Sequence, residues 1–164
     1  MKSKKADKIS FQLVSITTDE FATFKENFDP VKTGFEINLG LDIRVNDEQK
    51  IVGMFTRIIF EQKSKPVLLL KSGCHFQLDP SFRESQTTDR TLNLPVDLLT
   101  HFLVIAVGTA RGIVHAKKPA WLSDILLPTL NVSTMIKEDI RFKLFGEEEE
   151  YLLETKKNTK SGLN

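Results

Sequence analysis

The chain has 164 residues, of which 40% are hydrophobic and 27% are charged, and its formal net charge is +1. This length predicts one domain, and the composition is that of a folded protein. The near-zero charge argues against a general nucleic-acid binder, which needs a basic excess or a basic stripe. Cys74 is the single cysteine and the three histidines are widely spaced, so the sequence offers neither an intrachain disulfide nor a metal-ligand pattern. We expect no nucleic-acid partner, no metal and no cofactor.

The N-terminal segment MKSKKADK is basic, but no apolar run follows it, so it does not have the pattern of a signal peptide. Together with the lone cysteine, this favours the reducing environment of the cytoplasm. We expect residues 1–8 to be flexible and residues 9–145 to form the folded domain. Residues 146–164 carry runs of like charge and are expected to be a disordered tail.

Four segments are predicted to be strands, at residues 9–17, 35–46, 50–62 and 66–78. The second has the clearest alternation, with one apolar and one polar face, which is typical of an antiparallel sheet covered on one side. Short turns separate the last three segments, so these are predicted to form an antiparallel meander.

The connection between the first two strands, residues 18–34, has no clean period of either kind. A connection of this length inside a compact domain is uncommon and is often functional. Phe21, Phe24 and Phe28 have helical spacing, so one or two turns of helix are possible. Exposed phenylalanines are costly to hydrate unless they cover something or await a partner. Two compatible interpretations therefore stand: a lid on the core, or a binding surface.

Residues 79–93 are polar and rich in turn residues, and are expected to be a long surface loop. Residues 94–132 predict a long helix, with Pro95 at its first position and an end before Pro119, and then a short apolar helix that ends at Pro128. Residues 133–145 could be a helix or an extended arm. The predicted fold class is α+β: a four-stranded antiparallel sheet, made of a strand, a long crossover and a three-strand meander, with the long and the short helix on one face.

The long helix is apolar nearly all round between Phe102 and Ala110. A helix that covers a sheet needs only one apolar stripe, so a second dry neighbour is expected, most simply another copy of the chain; the alternative is a helix threaded through the middle of a single core. Gly108 and Gly112 share a face and each costs about 1 kcal/mol relative to alanine, which suggests close approach of another backbone. Arg111 interrupts the apolar run, which argues against a membrane span. The predicted oligomer interface comprises His101, Ile105, Gly108, Arg111, Gly112 and His115.

The His101, Arg111 and His115 side chains lie near one another on the predicted helix. They could bind an anion or transfer protons. Alternatively, Arg111 pairs with a carboxylate near the helix end or across an interface, and the histidines are interfacial. The sequence contains no Gly-rich phosphate loop, nucleophile elbow or CxxC pair, so an enzyme is not expected.

Apolar residues after Pro119 recur at helical spacing: Trp121, Leu122, Ile125 and Leu126. They could cap the edge of the sheet. The other interpretation is that they form one wall of a groove whose opposite wall is the connection from Phe21 to Phe28. Such a groove would bind extended apolar segments without strong sequence preference, because the hydrophobic effect is non-directional and scales with area.

The order of these elements resembles that of the SecB family of bacterial export chaperones. The segments FEINLGLDIRV and VLLLKSGCHFQL resemble the second and fourth strands of that family, and the stretch from LPVDLL to PTLNV resembles its long helix and the short helix that follows. The resemblance covers about residues 9–136. GTARGIVHA and ILLPTLNV look more like SecB-like relatives outside the best-studied export branch.

The resemblance implies a homotetramer, built as a dimer of dimers with the long helices between the dimers. It also implies an ATP-independent holdase that binds unfolded or precursor polypeptides in hydrophobic grooves, possibly in protein export. On this sequence the client-binding residues would be Phe21, Phe24, Phe28, Trp121, Leu122, Ile125 and Leu126.

The family's acidic docking face for the translocase motor is not matched, since Glu36 and Asp42 lie beside Arg44. The tail also differs, because Lys156, Lys157 and Lys160 make it basic near its end. A client-specific chaperone or adaptor, for example for an antitoxin, is therefore an alternative function. A more remote alternative is a small-ligand-binding protein or an enzyme that uses His101, Arg111 and His115.

Overall fold

The computed structural model describes residues 11–144 and, through its backbone pairing, a strand at residues 149–155. The predictions of a flexible N-terminus, of a strand that begins at Ile9, and of disorder at residues 146–148 and 156–164 lie outside the described residues.

The elements in chain order are strands β1 (Phe11–Thr23), β2 (Glu36–Asn46), β3 (Ile51–Gln62) and β4 (Lys65–Leu78), helix α1 (Pro80–Ser85), strands β5 (Thr87–Thr88) and β6 (Thr91–Leu94), helix α2 (Val96–Lys117), and strands β7 (Ile140–Lys143) and β8 (Glu149–Thr155). The main sheet has the strand order β1-β4-β3-β2-β8, with every pair antiparallel. The predicted α+β class is confirmed, and the crossover and meander are present, but the main sheet has five strands instead of the predicted four because β8 adds to its edge.

Strand β1 is longer than predicted and runs to Thr23, so that Phe21 lies in a strand rather than in the connection. Its pairing with β4 shifts register between Leu13 and Ser15 and again between Thr18 and Glu20. Each bulge inserts one residue and inverts the alternation that follows. This is why residues 18–23 show no strand period in the sequence. The connection that remains contains a single 3₁₀ turn, Lys25–Asn27.

Residues 79–93 are not the predicted surface loop. They form α1, β5 and β6, and β6 pairs with β7 to complete a second sheet of order β5-β6-β7. Asp79 begins α1 as a cap, because its Oδ1 accepts the Ser81 N–H at 3.0 Å and the Phe82 N–H at 3.2 Å. An aspartate followed by a proline at the first helical position is a helix start signal that the polar composition concealed.

Helix α2 packs on β4 and β3 through one apolar stripe: Leu98, Leu99, Phe102, Leu103, Ala106, Val107, Ala110 and Val114. The Phe102 ring stacks on the Phe76 ring of β4 at 3.9 Å, and the edge of Phe11 contacts both rings. Because α2 is buried along one side and open along the other, it is not a helix threaded through the middle of the core. The prediction of two dry neighbours is not met within the described chain.

Among the described residues α2 is the one helix long and apolar enough to cross a membrane, with a mean hydropathy of 1.5. Eight of its side chains are buried within the protein. A core helix passes the same test of length and hydropathy.

The predicted short helix at residues 121–128 is a single 3₁₀ turn, Ala120–Leu122, followed by irregular chain. Ile125 and Leu127 are buried whereas Leu126 between them is exposed, which is the alternation of an extended segment. The backbone carbonyls of this extended segment accept hydrogen bonds from side chains in place of the backbone hydrogen bonds of a helix. Lys118 donates to the carbonyls of Ser123 at 2.7 Å and Ile125 at 3.0 Å.

Residues 149–155, predicted to belong to a disordered tail, form β8 on the β2 edge and pair with Leu39 to Val45. The run from Tyr151 to Leu153 has strand propensity, which an argument from flanking charge does not weigh. The extended arm considered for residues 133–145 is realised in β7.

The N-terminus of α2 is capped from a distant part of the chain. Pro95 occupies the cap position and offers no side-chain acceptor. Instead, Asp139 Oδ1 accepts the Val96 N–H at 2.9 Å, and its Oδ2 accepts from Asn93 Nδ2 at 3.2 Å. The bond from the Val96 N–H holds the pKa of Asp139 below its ordinary value.

We predict that Asp139→Ala lowers the free energy of unfolding by about 1 kcal/mol, the usual effect of removing a helix cap. Because the pKa of Asp139 is lowered in the folded state, the stabilisation is present above the unfolded pKa of about 3.9 and is lost as the pH falls through the folded pKa. Urea unfolding of wild type and variant at pH 7 and in acid measures this difference. The neighbouring Glu138→Ala is the control. Equal stability of wild type and Asp139→Ala at pH 7 would contradict the assignment.

Candidate functional site

The two predicted walls of the client groove contact each other in this structure. The Phe28 ring lies 5.3 Å from the Trp121 ring and 6.4 Å from the Phe35 ring, with which it is stacked. Phe35 in turn meets Phe60 of the core edge to face. These four aromatic residues form a continuous cluster from the surface into the core. The crossover between β1 and β2 therefore packs on the core and covers it as a lid.

Two of the four predicted residues after Pro119 have no open surface. Leu122 and Ile125 are buried in the core, because the extended chain turns them toward the sheet. Leu126 is 59% exposed, and Trp121 is partly exposed. The expectation of an open wall made of all four residues is therefore corrected to Trp121 and Leu126.

The crossover is anchored to the hairpin that joins β3 and β4. Asn27 Nδ2 donates to the Pro66 carbonyl at 2.7 Å, and the Asp29 N–H donates to Gln62 Oε1 at 2.9 Å. Phe24 is held through its N–H, which donates to the Val67 carbonyl at 2.9 Å, while its side chain stays partly exposed. Phe21, in β1, packs against the core beneath Lys117, whose Nζ lies 5.8 Å from the ring centroid.

Strand β1 carries apolar side chains that α2 does not cover. Ile16 is 50% exposed, and Leu13 and Val14 are exposed beside it. Ile16 pairs with Cys74 of β4, and the thiol of Cys74 is hydrogen-bonded to Thr109 of α2. Leu13 and Ile16 therefore lie next to the flank of α2, on the side of the sheet that α2 occupies.

The outward face of α2 is also open. Val104 is 53% exposed, and a Cβ placed on Gly108 or Gly112 would meet no atom within 4 Å. Ile105 is partly exposed, and His101 and His115 at the two ends of this face are exposed. We call the combined strip the uncovered surface: Leu13, Val14 and Ile16 of β1 with Val104, Ile105, Gly108 and Gly112 of α2.

Within residues 11–144, Arg111 binds backbone carbonyls and not the carboxylate that one interpretation of the sequence expected. Its Nε donates to the Leu127 carbonyl at 2.9 Å and its Nη2 to the Pro128 carbonyl at 3.1 Å. The guanidinium is thus directed at the chain that follows α2, where it binds two backbone carbonyls.

Across residues 11–144 no three His, Cys, Asp or Glu side chains converge in a group that could hold a metal ion. The Cys74 thiol is buried, and this burial raises its pKa, which makes the thiol a poor nucleophile.

No family model and no curated protein matches the chain. The exposed residues of β1 were not identified from the sequence, because the bulge between Leu13 and Ser15 interrupts their alternation. Their signal is the apolar content of LVSI, residues 13–16, once this bulge is allowed for.

We predict that Arg111→Met loosens residues 123–131 and leaves α2 folded, because this variant removes two charge-assisted bonds to the Leu127 and Pro128 carbonyls. Hydrogen exchange of the segment should become at least about tenfold faster, since each of the two bonds is worth roughly 1.5–3 kcal/mol. Arg141→Met, at an exposed position of β7, is the matched control. Unchanged exchange in residues 123–131 would show that Arg111 does not hold them.

Proposed function

We propose that the chain is the subunit of an oligomeric, SecB-like, ATP-independent holdase of the cytoplasm that binds non-native polypeptides. The observation that carries the proposal is the uncovered surface. It is supported by the order of the strands, in which a long crossover follows the first strand and a meander of three strands follows the crossover. Contiguous exposed apolar residues of this kind are typical of protein–protein contact sites.

The uncovered surface supports association of identical copies. β1 is the outer strand of the sheet, and its second edge faces no other described strand. A long apolar edge strand favours pairing with another chain. Two copies of β1 can pair antiparallel about a twofold axis, which gives a closed isologous contact.

The outward face of α2 supplies a second contact. Gly108 and Gly112 allow the backbone of a facing helix to approach closely, since nothing stands above either residue. Two different isologous contacts on one subunit generate a tetramer with dihedral symmetry. This supports the proposed dimer of dimers with the long helices between the dimers.

Client binding in this proposal uses the apolar residues that remain on the crossover side. Val31, Phe24 and Leu126 have exposed or partly exposed side chains around the Phe28–Trp121 contact. An unfolded segment would cover these residues and would open that contact to enter the groove. Four further predicted residues would reach a client only after the Phe28–Trp121 contact has opened: Phe21, Phe28, Leu122 and Ile125.

A dedicated chaperone or adaptor for one partner is the second candidate. The sheet face away from α2 favours it, because this face carries Arg44, which lies 4.5 Å over the Phe55 ring and pairs with Asp42 at 2.7 Å. Phe55 lies flat on the sheet, because Gly53 and Gly73 leave space for its ring; a Cβ there would come within 2.6 and 2.7 Å of it. This face of mixed charge differs from the acidic face that the family uses for the translocase motor.

We predict that Val104→Glu shifts the particle from the tetramer toward the dimer that the β1 contact holds together. A carboxylate buried between two α2 faces would lack a partner, and an unpaired buried charge costs several kcal/mol. Since Val104 is 53% exposed in the single chain, the fold should survive. Light scattering and circular dichroism measure the two effects, with Thr88→Glu, on an exposed strand away from α2, as control. An unchanged mass for Val104→Glu would remove α2 from the interface.

We predict that Leu126→Glu and Phe24→Glu each weaken protection of an aggregating client at stoichiometric amounts, by about tenfold, because burying a Leu or Phe side chain is worth roughly 1.5–3 kcal/mol. The oligomer mass should not change, since both residues lie outside the uncovered surface.

The emission of Trp121, the single tryptophan, provides a direct binding signal in the same experiment. It should shift when a client separates Phe28 from Trp121. Thr88→Glu serves again as control. A wild-type protein that does not slow client aggregation would overturn the holdase proposal.

A further inference from the structure

A cavity of about 680 Å³ lies at one end of the main sheet, and none of its lining residues belongs to the uncovered surface. Asp47 and Lys50 border it from the turn between β2 and β3, Arg83 from α1, and Arg90 from the hairpin between β5 and β6. Its volume is within the range of small-molecule sites, about 300–1,000 Å³.

Positive charge exceeds negative charge in this cavity. Arg83 Nη2 donates to Asp47 Oδ1 at 2.5 Å, and Lys50 Nζ donates to the same oxygen at 3.0 Å. One carboxylate therefore faces two cations. Arg90 adds a third cation and Glu84 a second carboxylate to the lining. Among the described residues that line the cavity, three cations therefore face two carboxylates.

Arg83 is the most deeply buried of the charged residues that line the cavity. It is 9% exposed, and buried arginines are ordinarily held by several acceptors. A guanidinium carries five N–H donors. Asp47 is the acceptor that residues 11–144 supply to it, and Arg83 also lines the cavity. Its remaining donors form a fork suited to a carboxylate or a phosphate.

The remaining residues of the cavity wall favour one of these two anions, the carboxylate, over the other. Leu78, Pro80 and Leu144 form an apolar part of the wall. An inorganic phosphate would leave this part unused, whereas a carboxylate with an apolar body would cover it. We propose that the cavity binds an organic carboxylate, with its charged group on Arg83 and Arg90 and its apolar body against Leu78 and Leu144.

The carboxylate could belong to a free acid or to the C-terminus of a peptide, and the experiment separates the two sources. Calorimetric titration of the full-length protein would use benzoate, its neutral isostere benzamide, inorganic phosphate, and a short apolar peptide in free-acid and amidated forms. We expect saturable binding of benzoate or of the free-acid peptide, at least about tenfold tighter than that of the neutral counterpart. Whichever of the two binds identifies the source.

Two variants connect binding to the proposed residues. Arg90→Asn removes one cation at a backbone position with φ of 56°, which asparagine tolerates, so this variant should fold and bind about tenfold more weakly. Arg83→Lys keeps the charge, removes the fork and should weaken binding further. Arg141→Gln, exposed on β7, should bind as wild type does.

Three results would overturn the proposal. These are no saturable binding of either carboxylate below about 10 mM, benzamide or phosphate bound as tightly as benzoate, or unchanged affinity in Arg90→Asn. The site is independent of the holdase proposal, and client protection should be the same in Arg90→Asn and wild type.

Discussion

The structure depends on a mismatch between one helix and the sheet beneath it. A helix is about 10 Å across, and strands are spaced by about 4.8 Å, so one helix covers about two strands. α2 covers β4 and β3. On one side the extended chain with Ile125 and Leu127 adds to the core, but on the other side nothing described covers Ile16 of β1. The apolar side chains of β1 and the outer face of α2 therefore remain open, and the proposal of assembly follows from that surface.

Polar side chains fix the parts of the chain that cover the sheet without regular structure. Arg111 and Lys118 bind four carbonyls of the segment after α2, and Asp139 caps α2 from a position 43 residues away. Apolar residues in these segments, such as Leu126, remain at the surface although their neighbours are buried. Each of the two predicted groove walls is anchored to the protein by its own hydrogen bonds. The anchored walls lie side by side and pack on each other at Phe28 and Trp121.

The regular part of the fold could be predicted from local patterns. The alternation of β2 and the helix signals around Pro95 and Pro119 gave the meander and α2 within one or two residues. Three kinds of feature could not be predicted. The bulges in β1 invert its period, side-chain bonds replace helical bonds after Leu122, and the cap of α2 comes from Asp139. Each depends on contacts between residues far apart in the sequence, which no local period contains.

The central claim is that a second copy of the chain covers the uncovered surface. Sedimentation of the wild-type protein across a dilution series, from micromolar to nanomolar, tests it most directly. We expect a species whose mass is a multiple of 18.7 kDa, and four times this mass if both contacts form. A single species of 18.7 kDa at every concentration would contradict the claim, because the apolar residues of β1 and α2 would then face water in the native protein.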